Sequence, residues 1–254
     1  MKPAKDLVQS VIPAGSISIR ELRAHCMNCS VRELCLPVGV DQEAMRQIDG
    51  LVSERVRLQK GEPAYHAGDP FAALYAIRVG SCKTTLLVEN GYQQVAGYHM
   101  TGDIIGLDGI GSGRHCGDAV ALEETELCVL PFNRLEELAR QVGSLQRNLH
   151  RILSREIARD ENVMLLLGSM HADERLAVFL LSLSERYHER GYSTTEFVLR
   201  LTREDIGSYL GLKLETISRL LSRFQSMGLI QVQGRVVKLL DLPALKQLAG
   251  HRCA

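Results

Sequence analysis

The 254-residue sequence predicts an α+β protein in three parts: an N-terminal β-roll of double-stranded jelly-roll type, a long helix, and a C-terminal winged helix-turn-helix. Three observations predict it. Between about Leu51 and Phe132, short strand-like segments alternate with glycines. From Asn133 the apolar spacing becomes helical and holds to about Leu167. Beyond Ser169 a compact helical unit ends in a short hairpin.

The strand-like segments are Arg55–Gln59, Leu74–Val79, Lys83–Val88, Gln94–His99, Ala119–Leu122 and Glu126–Leu130. Gly61, Gly68, Gly80, Gly91, Gly97 and Gly102 fall between them or at their ends. Many short strands with regular turn signals indicate an antiparallel barrel or double-sheet roll. In the helical stretch, Leu149, Leu153, Ile157, Asp160, Met164 and Leu167 step by three or four, close to heptad spacing. A helix longer than average between two domains serves as a connector or a dimer contact. Asp160 interrupts this seam. In a parallel symmetric dimer two Asp160 carboxylates would face each other, so the association is expected to be weak.

Residues 202–226 carry the next pattern. Thr202, with Asp205 three residues on, is a capping-box-like helix start, and Gly211 can end that helix with positive φ. A second helix then places Leu214, Ile217, Leu221 and Phe224 on one face and Glu215, Ser218, Arg219 and Ser222 on the other. Two helices joined by a glycine turn, the second with a polar and partly basic outer face, match a helix-turn-helix. Leu229–Val232 and Val236–Leu239 flank Gly234 as a hairpin wing. The outer face suits base edges: Arg219 for guanine, Glu215 for cytosine, Ser218 for either kind of edge. Arg203, Lys213 and Arg223 suit phosphates, which position without specifying. The plainer reading of Glu215 and Arg219 is an i,i+4 surface ion pair.

Composition sets the boundaries. Formal net charge is zero, so the chain has no overall pull toward nucleic acid or membrane. From Ser169 onward twelve basic residues stand against nine acidic ones, a modest excess that falls on the helix-turn-helix segment. No apolar run approaches the ~18 residues of a membrane span, and the N-terminus has no apolar core of a secretory signal. A cytoplasmic protein without a membrane partner is the expectation. His66, His99 and His115 have no nucleophile or carboxylate at motif spacing, so an enzyme is not expected.

The N-terminal segment has little periodicity, but it holds Cys26, Cys29 and Cys35 as C-x2-C-x5-C within ten residues. Cys82, Cys116, Cys128 and Cys253 are scattered singly. In a reducing compartment so tight a cluster indicates a metal site rather than a disulfide framework. Thiolates suit zinc, copper(I) and iron–sulfur clusters, and a tetrahedral zinc or a cubane needs a fourth ligand. His25 and the isolated cysteines are the candidates for it. The segment reads as a mobile arm whose order depends on its ligand.

Taken in order, these features resemble the FNR branch of the CRP/FNR family of bacterial transcription regulators. The likeness is nearly full length. It rests on the cysteine triplet, on Tyr75-Ala76-Ile77-Arg78, and on Gly102-Asp103-Ile104-Ile105-Gly106 followed by Ile110-Gly111-Ser112-Gly113. It continues through Cys128-Val129-Leu130-Pro131-Phe132 and Asp173-Glu174-Arg175-Leu176-Ala177. The most specific stretch is Asp205–Leu212 with Glu215–Leu221.

The resemblance implies an oxygen-sensing regulator with a 4Fe-4S cluster on Cys26, Cys29, Cys35 and, by position, Cys128, with Cys116 as rival. It implies a sensor domain in the roll and a homodimer through Leu149, Leu153, Ile157, Asp160 and Met164. The dimer would bind double-stranded DNA at TTGAT…ATCAA palindromes and dissociate when oxygen converts the cluster. RNA polymerase contact would fall on Glu89, Asn90 and Gly91, although Tyr92 stands where an acidic residue is expected. Lys213 replaces a common small hydroxyl residue. The implied division is 1–39 ligand arm, 40–140 β-roll, 141–168 dimerisation helix and 169–254 DNA-binding domain. Two alternatives use the same fold. One is a structural zinc on the same four cysteines. The other is a cyclic-nucleotide ligand, which needs an Arg-Ser or Arg-Thr pair where this chain has Arg114-His115-Cys116-Gly117-Asp118.

Overall fold

The computed structural model describes residues 17–18, 26–52, 54–87 and 93–250. The chain divides into two compact units, Met1–Glu156 and Ile157–Ala254. No helix among the described residues is long and apolar enough to cross a membrane.

The first unit is a roll of two antiparallel sheets. Its elements are β1 (Ile17–Ser18), α1 (Gln42–Leu51), β2 (Glu54–Leu58), β3 (Pro63–Tyr65), β4 (Ala73–Val79), β5 (Ser81–Leu87) and β6 (Gln93–Met100). They continue with β7 (Ile104–Ile105), α2 (Gly109–Ser112), β8 (Asp118–Ala121), β9 (Thr125–Pro131) and α3 (Phe132–Gln141). One sheet runs β1-β2-β9-β4-β7 and the other β3-β8-β5-β6. Alternation along the strands makes two cores. Leu127 and Val129 of β9 face inward with Val56, Tyr75 and Ile77. Leu130 faces the other way, into a cluster with Leu36, Ile48 and Leu135, on which Cys128 also packs. This period of two fixes which side of the sheet Cys128 occupies.

The second unit takes most of its elements from the helix-turn-helix. Helix α4 (Gly143–Ser169) enters it, followed by α5 (Ala172–Glu189), β10 (Glu196–Val198), α6 (Arg203–Leu210), α7 (Leu214–Ser226), β11 (Ile230–Gln233), β12 (Val236–Leu239) and α8 (Leu242–Leu248). The wing is a three-stranded sheet in the order β10-β12-β11. Its hairpin turns at Gly234, whose φ is 61°.

Two expectations are corrected, on Leu214 and on the short strands. The helical stretch read from Asn133 consists of two helices, α3 and α4, parted at Val142 (φ −112°, ψ 93°). Val142 donates to the Leu138 carbonyl and accepts from Gln146, so it closes one helix and opens the next. A β-branched residue followed by glycine, both weak in helices, makes this break inexpensive. Leu214, expected on the buried face of the second helix, is 44% exposed, and Leu220 is buried there instead. Strands β1, β3, β7 and β10 were not foreseen. Two or three residues are too short to show a period.

Candidate functional site

The cysteine segment folds from local hydrogen bonds. Cys26–Asn28 form one 3-10 turn. The Cys29 N–H then donates to the Cys26 carbonyl at 3.1 Å and the Cys35 N–H to the Val31 carbonyl at 3.1 Å. The Cys26 N–H bonds the Asp49 carboxylate from α1. Leu36, 1% exposed, anchors the segment in the roll's second core. Asn148 of α4 is itself buried, and its side-chain amide donates to the carbonyls of Leu36 and Val38. Gly102 (φ +93°) completes the seat, because a Cβ there would lie 2.7 Å from the Leu34 Cβ. Gly102 belongs to a motif quoted above. Asn148 carried no sequence signal, since an asparagine inside a helical run looks like a surface residue.

Cys26, Cys35 and Cys128 all pack against the roll's second core. Burial pushes the Cys35 thiol up to about 12, with the charges of Cys128 and Cys29 adding to it and a backbone hydrogen bond at Leu36 opposing it. Burial pushes Cys128 up to about 11, opposed by Arg55 and Arg78 and reinforced by Cys29 and Glu126. Cys26 is raised by burial, then Asp49, then Cys35, Cys128 and Cys29. Cys116 is exposed and lies apart from this set, its N–H on the Asp108 carboxylate at 2.7 Å. Among the described residues, no three His, Cys, Asp or Glu side chains close to metal-bonding geometry around one point. His25 and Cys253 lie outside the described residues, as do Glu89, Asn90 and Gly91 of the expected polymerase contact. As a donor set, four half-buried thiols fit an iron–sulfur cluster or zinc.

On α4, Ile157 (60% exposed) and Met164 (65%) stand on the surface, and Leu165 is also exposed. Asp160 is exposed too, and partial desolvation raises its carboxyl, with Arg159 opposing. Leu153 is half-buried. Leu149 packs against the roll's second core, together with Ile152.

In the helix-turn-helix, Thr202 and Asp205 cap α6 reciprocally: the Asp205 N–H donates to Thr202 Oγ1 at 3.0 Å and the Thr202 N–H to Asp205 Oδ2 at 3.0 Å. Gly211 ends the helix with φ 64°. Gly207 sets the distance between α6 and the turn, since a Cβ there would meet the Leu212 carbonyl oxygen at 2.6 Å. Arg175, which sequence reading passed over as part of a motif, donates to the carbonyls of Leu167 (2.8 Å), Met170 (3.0 Å) and Leu210 (3.0 Å). It thereby satisfies orphan acceptors at two helix ends at once.

Ile217, Leu220, Leu221 and Phe224 bury one face of α7 and leave Glu215 and Arg219 exposed, with Ser218 half-buried beside them. Glu215 and Arg219 are not joined as an ion pair among the described residues; Arg219 Nε reaches the Glu215 backbone carbonyl at 3.4 Å. Arg203 Nη1 lies 3.4 Å from Ser218 Oγ. Lys213 is the exposed N-cap of α7. Arg223 is 3.6 Å from the Asp173 carboxylate and largely exposed.

The stretch that would meet a cyclic phosphate is occupied by the chain's own groups. Arg114 Nη1 donates to the Gly68 carbonyl at 2.6 Å. Asp118 accepts from the Ala67 N–H at 2.8 Å. His115, 3% exposed, stacks on Tyr65 at 3.7 Å and lies 3.3 Å from Asp108.

A β-roll unit and a winged helix-turn-helix unit, joined by a long helix, define a DNA-binding transcription regulator, not an enzyme. The family model for the Crp-like helix-turn-helix domain matches residues 174–248, and that for the cyclic nucleotide-binding domain matches residues 55–142. The chain belongs to the CRP/FNR family of transcription regulators. It is 41% identical to the fumarate and nitrate reduction regulatory protein of Escherichia coli K12 over 251 residues, 99% of this chain and 98% of that one. It is 48% identical to the transcriptional regulatory protein Btr of Bordetella pertussis over 228 residues, 90% of this chain and 94% of that one. Among solved structures, FixK2 from Bradyrhizobium japonicum matches with a TM-score of 0.70 at 31% identity, covering 76% of this chain and 96% of that one.

Proposed function

We propose that this chain is an oxygen-responsive global regulator in which Cys26, Cys29, Cys35 and Cys128 hold a 4Fe-4S cluster. The observation that carries the reading is the packing of Cys26, Cys35 and Cys128 against one core of the roll, with Cys29 hydrogen-bonded back to Cys26 and Cys116 outside the set. The cluster, when bound, supplies the reactivity toward oxygen. The chain's own residues supply the rest: Leu36 and Asn148 fasten the ligand segment to the roll and to α4. Ile157, Asp160 and Met164 form the seam of a homodimer that holds only when the segment is ordered. The dimer binds TTGAT-N4-ATCAA-type palindromes through Glu215, Ser218 and Arg219 and controls genes of anaerobic metabolism. Arg203, Lys213 and Arg223 are assigned to phosphates, and Glu89, Asn90 and Gly91 to RNA polymerase. Residues 1–39 act as ligand arm, 40–140 as sensor roll, 141–168 as dimer helix and 169–254 as reading domain. A cyclic nucleotide is disfavoured by the Asp118 carboxylate and by the packed His115.

The test is anaerobic purification of the chain and of its Cys128→Ala and Cys116→Ala variants, with iron and sulfide per chain and the visible spectrum read before and after air. The parent and Cys116→Ala are expected brown and bleaching in air, and Cys128→Ala colourless. A colourless zinc-loaded parent would sink the cluster, and a colourless Cys116→Ala beside a brown Cys128→Ala would move the fourth ligand.

A further inference from the structure

The face of the roll that carries Cys128 also carries a compact charge group. Antiparallel register pairs Arg55 of β2 directly with Cys128 of β9, which puts both side chains on one face of the sheet. Glu126 is two residues from Cys128 on the same strand and so shares that face. On the other flank β4 is irregular: Ile77 pairs with Leu127 and Val79 with Glu126, so Arg78 is the extra residue of a bulge. Bulges re-aim side chains, and here Arg78 Nη1 reaches Glu126 Oε1 at 3.0 Å. Arg55 Nη1 lies 3.3 Å from the same oxygen. Arg55 is 9% exposed, a rare burial for a guanidinium. One carboxylate thus serves two guanidinium groups. Among the described residues the set keeps one surplus positive charge, and the Nε donors of both arginines are buried without an acceptor.

A lone stabilising ion pair needs one cation per anion. Two cations on one anion, with spare donors and beside a buried thiol, leave an incomplete arrangement that a further negative charge would complete. Four cysteine ligands around iron supply such a charge. We propose that Arg55, opposite Cys128 and tethered by Glu126, is the counter-cation of the iron-loaded cysteine site, with Arg78 as its weaker partner; this rests on the cluster reading above. Arg55 is a positioning residue: it compensates ligand charge and touches no reacting group. Glu126 has the opposite effect, drawing the two guanidinium charges toward itself and away from the ligands.

The charges therefore predict effects of opposite sign, which a purely structural ion pair would not. The full chain is reconstituted under argon with ferric iron, sulfide and excess thiol, the thiol reducing part of the iron to ferrous. Iron and sulfide per chain and the visible spectrum are read, and iron release to a ferrous chelator is then timed. Arg55→Gln is expected to release iron about tenfold faster or more, the range for groups just outside a ligand set. Arg55→Lys, which keeps the charge, is expected near the parent, and Glu126→Gln slower than the parent. If Arg55→Gln does not fold, the half-buried Arg78→Gln carries the same expectation with a smaller effect. Equal acceleration by Arg55→Gln and Glu126→Gln, or a parental rate in the neutralised arginine variants, would overturn the proposal while leaving the cluster reading intact. A parent that takes up no iron would overturn that reading, and this inference with it.

Discussion

The Asn148 side-chain amide donates to the Leu36 carbonyl at 3.1 Å, one residue beyond Cys35, and so ties the cysteine segment to the early turns of the long helix. Its carbonyl oxygen in turn accepts from Arg151 at 3.1 Å, so the buried amide is used from both ends. The bond gives the ligand segment a mechanical hold on the helix that bears Ile157, Asp160 and Met164.

Asn148→Ala leaves the Leu36 and Val38 carbonyls without this donor, at a cost of about 1–3 kcal/mol. The variant is expected to load iron as the parent does but to dimerise more weakly under argon. Sedimentation beside iron content measures both. Parental association at parental iron content would show that the bond transmits nothing.

Asp160 is the charged position on an otherwise apolar exposed stripe of Ile157 and Met164. Its carboxyl is raised by desolvation even in the single chain, and a facing copy would add a like charge. Asp160→Ala is expected to dimerise and bind DNA in air, with no cluster present. A monomeric variant in aerobic sedimentation would place the seam elsewhere.

Arg219 and Glu215 stand exposed and uncommitted to each other on α7. Arg219→Ala is expected to cost about 1–3 kcal/mol at the specific site and to flatten the preference for one guanine. Lys213→Ala or Arg203→Ala should weaken all sequences alike and lower the salt dependence. Binding to single-base variants of the half-site at fixed salt separates the two. An equal loss on every variant would make Arg219 a phosphate contact.

Cys82 lies inside the roll at 0% exposure, and burial, reinforced by Glu123, pushes its thiol up to about 12. Its folded pKa exceeds the unfolded value of about 9.0, so its contribution to stability is complete below that pH. It is lost as pH rises toward about 12. Apoprotein melting temperature is expected to fall across that interval, and less steeply in Cys82→Ala. Cys35 and Cys128 titrate in the same range, so the comparison with the parent isolates Cys82. At neutral pH a maleimide should label exposed Cys116 first and Cys82 only on unfolding.

The sequence by itself determined the features that repeat or sit close along the chain. The strand-and-glycine texture of the roll, the Thr202–Asp205 cap, the Gly211 turn and the polar face of α7 are local, so spacing reveals them. The cysteine triplet was legible for the same reason. Tertiary structure decided what depends on register and close approach. The pairing of Arg55 with Cys128 joins residues 73 positions apart, and periodicity carries no information about strand partners. The bulge that turns Arg78 toward Glu126, the three carbonyls gathered by Arg175 and the burial of Asn148 have the same origin. The break at Val142 was settled by packing as well, because helix propensity is a weak prior that tertiary contacts override.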